Sequence, residues 1–179
     1  MRYLKSRLLL ILLLYSYIHA FGQVRNLRFE HITTDEGLSQ GYITCNFQDS
    51  RGFMWFGTGD GLNKYDGYHF TVYKKNDSPY SITSNEIKDI AEDKDGNLWI
   101  ATTNGLNMFD RSSEKFIPYL NDTSDHTSIS STYINALLFD HQGRLWIGAG
   151  PTPTGEGGGL NLFNSSTRNF SYYPYHTDS

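Results

Sequence analysis

The sequence is short of several things, and each shortage excludes a class of protein. Cys45 is the only cysteine among 179 residues. That rules out an intrachain disulfide and a cysteine-rich metal site, and Cys45 reads as a buried strand thiol. Charged residues make up only 19% and nearly balance, at a net charge of −4. There is no basic footprint for nucleic acid and no basic face for an anionic membrane. His31, His69, His126, His141 and His176 are scattered without the spacing of metal ligands, so no metal is expected, and no cofactor either. The glycine-rich stretch Gly57-Thr58-Gly59-Asp60-Gly61 is followed by no helix whose N-terminus would meet a phosphate. Asp93, Asp95 and Asn97 form too short a ladder for a calcium loop and lack its closing glutamate.

Long hydrophobic runs are also scarce. The one that exists, Leu8 to Ile18, follows Arg2, Lys5 and Arg7 and precedes the small residues Ala20 and Gly22. It is short for a membrane span and has the layout of a signal peptide, residues 1–22; cleavage after Gly22 is preferred, cleavage after Ala20 also fits, and an uncleaved signal anchor is the competing reading. The rest is expected to be exported, with no membrane span in the mature chain.

What the chain has in abundance is aromatic residues and glycine: 13 Tyr, 11 Phe, 3 Trp and 17 Gly. This mix suits short strands joined by tight turns. The tryptophans occupy matching phrases, GFMWFGT around Trp55, GNLWIAT around Trp99 and GRLWIGA around Trp146, spaced 44 and then 47 residues apart. Each phrase is preceded by an apolar stretch ending in Asp49, Asp93 or Asp140, with a glycine three residues on. Each is followed by a Gly-Leu-Asn triplet beginning at Gly61, Gly105 or Gly159. A last aromatic stretch comes next: FTVY from Phe70, FIPY from Phe116, FSYY from Phe170. Alternation supports strands; Ile87, Ile90, Leu98, Ile100, Leu106, Met108 and Phe116 are apolar with polar residues between them.

Each repeat therefore predicts four antiparallel strands. Such a unit cannot bury both of its faces alone and must stack on copies of itself. Radial stacking of four-stranded sheets with a period in the forties is the β-propeller. The predicted fold is all-β, with about three blades at 38–80, 81–127 and 128–179, behind an N-terminal segment at 23–37. The tryptophans are expected between blades, each burying on the order of 150–250 Å². The aspartates are expected to brace hairpin ends.

The phrase D-x-x-G-x-x-W-[IF]-[GA]-T-x-x-G-L-N-x-[YF]-D runs from Asp49 to Asp66 and again from Asp93 to Asp110. It resembles the two-component regulator propeller repeat. The third copy departs from it, with Ala149 in place of Thr and the loop GPTPTGEGGG, Gly150 to Gly159, before Leu160. The resemblance implies the periplasmic sensor region of a Bacteroidetes-type hybrid two-component histidine kinase. Such parents hold further propeller blades, an inner-membrane anchor and a kinase region. Relatives detect breakdown products of complex carbohydrates, so the implied partners are an oligosaccharide ligand, the missing blades, the kinase region and a second copy in a homodimer. No kinase motif lies in these residues, so this chain is expected to be non-catalytic. The competing readings are an exported propeller enzyme acting on polysaccharide and a plain protein-interaction scaffold.

Two further expectations concern position. Arg28 to Thr33 (RFEHIT) matches the last strand of a repeat and is expected to close a ring as an outer strand. With three repeats present, the ring is expected to be incomplete. Ligand contacts are expected on the face that carries the inter-blade loops and the long loop, at Asp77, Tyr80, Asp125, His126 and Glu156.

Overall fold

The computed structural model describes Tyr3, Arg7, residues 29–151 and residues 158–173. The chain divides into two compact units, 1–31 and 32–179. The leader and Glu156 lie outside the described residues.

The second unit begins with a 3₁₀ turn, Thr34–Glu36, closed by a capping box between Thr33 and Glu36. Twelve strands follow among the described residues: β1 Ile43–Gln48, β2 Met54–Thr58, β3 Gly61–Tyr65, β4 Phe70–Tyr73, β5 Ile87–Glu92, β6 Leu98–Thr102, β7 Gly105–Asp110, β8 Lys115–Tyr119, β9 Ile134–Phe139, β10 Leu145–Ala149, β11 Gly159–Asn164 and β12 Asn169–Tyr173. They form three antiparallel sheets, each in simple meander order: β1 to β4, β5 to β8 and β9 to β12. These are blades 1, 2 and 3. The first strands of the blades adjoin in the order β1, β5, β9, which places them innermost.

The expected closing strand is not formed; Phe29–Thr33 are irregular. Extended backbone needs a ladder partner for its N–H and C=O groups. Each of the three sheets already carries its own fourth strand, so none of them has the vacant outer position that the expected closing strand would fill.

Packing between blades makes the core. Trp55 is almost wholly buried. It stacks on Tyr73 of its own blade at 5.9 Å and meets Phe109 of blade 2 edge-on at 5.7 Å. Trp99 repeats this with Tyr119 at 5.4 Å and with Phe163 of blade 3 at 4.9 Å. Trp146 meets Tyr173 of its own blade at 5.9 Å and is only half-buried.

Each Trp is aimed by the aspartate six residues earlier. The indole Nε1 donates to Asp49 Oδ2 at 2.7 Å, to Asp93 Oδ2 at 3.1 Å and to Asp140 Oδ2 at 2.9 Å. The other carboxylate oxygen accepts two turn amides, such as those of Arg51 and Phe53 on Asp49. One carboxylate thus shapes the hairpin and fixes the ring that fills the blade interface. The indole bond is a contact that sequence reasoning missed.

The asparagine of each Gly-Leu-Asn triplet is fully buried and ties the loop entering its own blade. Asn63 Oδ1 accepts Ser39 N at 2.9 Å, Asn107 Oδ1 accepts Thr83 N at 3.1 Å, and Asn161 Oδ1 accepts Ser130 N at 3.0 Å. The glycine ahead of it has positive φ, +111° at Gly105, where a Cβ would lie 2.5 Å from Leu120 Cδ2; only glycine fits. Thr58 and Thr102 tighten the turn between second and third strands by donating to Gly61 O at 2.9 Å and Gly105 O at 2.8 Å. Ala149 has no hydroxyl for this, and there the connection between second and third strands is the longer segment 150–158.

Candidate ligand-binding face

The inner strand of every blade carries a bulge. Ile43 pairs with Thr58 and Cys45 with Gly57, which skips Thr44. Ile87 pairs with Thr102 and Asp89 with Ala101, which skips Lys88. In blade 3 the break falls beside Ala149, which pairs with Ile134, and Asn135 is skipped. A bulged residue is left out of the ladder and re-aims its side chain. Thr44, Lys88 and Asn135 thus gather at one end of the inner strands.

Lys88 is the most connected of them. Its Nζ lies 2.6 Å from Glu86 Oε1 and 5.5 Å from the centre of the Tyr133 ring in the next blade. The hydrogen bond to Glu86 raises its pKa above the usual lysine value. Asp89 reaches across to accept the Leu137 amide of β9 at 2.7 Å. On the same end Asp60 pairs with Lys74 at 2.7 Å. Cys45 is half-buried beside them. Burial first, and the Asp89 charge second, push its thiol up to about 11, so it is an inert thiol at neutral pH.

The residues expected to bind ligand lie elsewhere and are not brought together. Tyr80 O accepts the amide of Phe116 on β8 at 3.0 Å, and Thr127 O accepts that of Phe170 on β12 at 2.8 Å. These bonds hold the two inter-blade loops against the outer strands. Asp77 and Tyr80 sit at the outer edge between blades 1 and 2; Asp125 and His126 sit on the next loop, and all four are exposed. Tyr80 lines a groove of ≈ 510 Å³ with Lys74, Asn76, Ser81 and Glu114, and Lys115 Nζ lies 4.2 Å above its ring. Asp125 accepts both Thr127 N at 2.8 Å and Thr127 Oγ1 at 2.7 Å, and the hydroxyl bond in particular lowers its pKa. The bulge residues went unnoticed in sequence; their signal is a position that changes from Thr to Lys to Asn after an unchanging Ile.

The opposite end, where the first and third turns of each blade lie, holds the interblade clamps. Arg111, on the β7–β8 turn, reaches Asp49 Oδ2 of blade 1 at 3.1 Å and Glu92 Oε1 at 3.0 Å, and all three side chains are buried or nearly so. Glu92 in turn accepts Ser50 N at 2.8 Å and Ser50 Oγ at 2.6 Å.

Three adjoining four-stranded meanders with their first strands innermost define a β-propeller arc. Its repeats are two-component regulator propeller repeats: the family model of that description matches residues 37–60, 81–104 and 128–150. The extracellular domain of a hybrid two-component system from B. thetaiotaomicron superposes with a TM-score of 0.72 and 30% identity, over 80% of this chain and 20% of that one. Histidine kinase P4 of Formosa agariphila is 44% identical over 55 residues, which are 31% of this chain and 4% of that protein. Virginiamycin B lyase from Staphylococcus aureus shares the fold alone, with a TM-score of 0.56 at 13% identity over 76% of this chain and 42% of that one. The chain therefore spans a small part of the length of its two-component relatives. Among the described residues no helix is long and apolar enough to cross a membrane.

Proposed function

We propose that this chain is part of the exported, ligand-sensing propeller of a two-component histidine kinase, that it acts without catalysis, and that its ligand is an oligosaccharide. The observation that carries the sensor reading is the threefold repeat match together with the likeness to a two-component extracellular domain. Binding would bias the packing of blades or of a homodimer, and that bias would pass through an inner-membrane anchor to the kinase region of the parent.

The sugar reading draws on the groove around Tyr80. An exposed aromatic ring with amide, hydroxyl and ammonium groups around it supplies a stacking face and hydroxyl partners. Asp77 flanks it, and Asp125, His126 and Glu156 belong to the neighbouring loops of the proposal. The non-catalytic reading is supported by the carboxylates near the inner strands. Asp60, Glu86 and Asp89 are each held by a lysine or a backbone amide, which leaves none poised as a free acid or base.

Calorimetry against a panel of oligosaccharides, with the same panel assayed for turnover, tests both parts. Saturable heat that Tyr80→Ala weakens, with no product formed, is the expected result. Turnover of any member would make the chain an enzyme. Heat unchanged by Tyr80→Ala would move the site away from the groove.

A further inference from the structure

The two blade interfaces differ in a way that the repeat itself makes visible. Between blades 1 and 2 the clamp residue Arg111 directly follows β7; in blade 3 the residue directly following β11 is Ser165. Its partner Glu92, at the end of β5, is matched by Phe139 at the end of β9. At its clamp end the first interface is filled, leaving a void of only ≈ 20 Å³ beside Arg111. The second holds a cleft of ≈ 480 Å³, lined among others by Asp93, Asp95, Trp99, Phe139, Phe163 and Ser165.

The carboxylates tell the same story. Asp49 Oδ2 carries the Arg111 guanidinium, and Asp140 Oδ2 carries Arg144 Nε at 2.7 Å. Asp93 Oδ2 has only the neutral Asn97 amide at 3.1 Å besides its indole. Among the described residues it is the one repeat aspartate with no cation on it. Lys94 and Arg144 also reach the cleft rim, but Arg144 is committed to Asp140 and lies over the Trp146 ring at 5.4 Å.

From this we infer that the cleft between blades 2 and 3 is a binding site for a guanidinium head group, seated where Arg111 sits in the sister interface. The planar cation lies against Trp99 and Phe163 and faces Asp93, with the Asn97 amide giving way. Charge balances: the sister cleft sets one guanidinium against two carboxylates, and here Phe139 replaces one of them, so a single cation meets Asp93 with an aromatic ring at its side. A guanidinium that faces Asp93 gains a charge-assisted hydrogen bond to the carboxylate, with the exposed edges of Trp99 and Phe163 beside it. The site is remote from the Tyr80 groove and does not depend on the oligosaccharide reading.

The test uses the whole chain, with agmatine and N-acetylargininamide as probes and the urea analogue of agmatine as the neutral control. Calorimetry is expected to show saturable binding of the guanidinium probes and none of the urea. The two probes separate a small free ligand from an arginine side chain. Ser165→Arg plugs the cleft from within; once circular dichroism shows it folded, it should bind at least ~10-fold more weakly, the scale of one charge-assisted contact. A second arm needs no change at the site. Arg111→Ser empties the sister cleft, and agmatine should restore part of its lost melting temperature while the urea does not. Absence of binding, binding of the urea as tight as that of agmatine, or binding undiminished in a folded Ser165→Arg protein would each overturn the inference.

Discussion

Glycine at position 57 is a spacer, and alanine there should be costly in a way that alanine at the matching position 148 is not. A Cβ on Gly57 would lie 2.5 Å from Cys45 Sγ and 2.8 Å and 3.0 Å from Ile87 Cγ2 and Cβ. Ordinary carbon contacts begin near ~3.5 Å, so β1 and the neighbouring blade's β5 must both move by roughly an ångström. Overpacking of this kind costs about 1–3 kcal/mol, which at about 2–4 °C per kcal/mol lowers the melting temperature by roughly 2–12 °C. At Gly148 the nearest atom to the added Cβ is Ala136 Cβ, at 3.5 Å, an ordinary contact. There the loss of unfolded-state freedom dominates, and Gly148→Ala should be neutral or stabilising by up to about 1 kcal/mol. The second repeat already holds Ala101 at this place, because the residue opposite it, Asp89, turns away to the Leu137 amide. Thermal and urea melts of the two variants, read by tryptophan fluorescence, check the contrast. Cys45→Ala in the Gly57→Ala background should recover part of the loss. Equal melts for the two single variants would refute the account of blade spacing.

Three other outcomes are expected. Arg111→Met leaves Asp49 and Glu92 without their shared cation; both keep their turn and Ser50 bonds, so the loss should be about 3 kcal/mol, the low end for breaking a buried pair, seen as a shifted urea midpoint. Cys45, with its thiol pushed up to about 11, should be alkylated at pH 8 roughly a hundredfold more slowly than in urea, because only the thiolate reacts. Asp110 accepts the hydroxyls of Ser112 and Ser113, and these hold its pKa down to about 2. Its folded value lies below the unfolded one near ~3.9, so its contribution is complete above about pH 4 and is lost as pH falls through about 2. A carbon-detected NMR titration of the side chain should show that midpoint, and Asp110→Asn should flatten the acid dependence of stability in that window.

What the sequence made legible was whatever recurs. The Trp strands, the Asp hairpins and the Gly-Leu-Asn entries appear three times over, and recurrence separates them from chance; blade architecture followed from them. What stayed hidden was either single-copy or long-range. Arg111 occurs once in the pattern, and its partners lie 62 residues back at Asp49 and 19 back at Glu92. The outward course of the loops at Asp77 to Ser81 and Asp122 to Ser128 is set by backbone bonds to β8 and β12 that no local motif announces. Arg28 to Thr33 resembled an outer strand in composition, but pairing depends on a vacant neighbour and not on composition. The expectations for the leader and for Glu156 fall outside the described residues.

The bulge in each first strand has a broader meaning. It detaches one side chain per repeat from the arithmetic of pleat and register, while the isoleucine before it and the small residue opposite keep the blade in shape. Thr44, Lys88 and Asn135 accordingly differ in size, polarity and charge while the pairing around them stays the same. On this plan the chemical character of one end of each blade can change from repeat to repeat without a change of fold, and the number of such places grows with the number of blades.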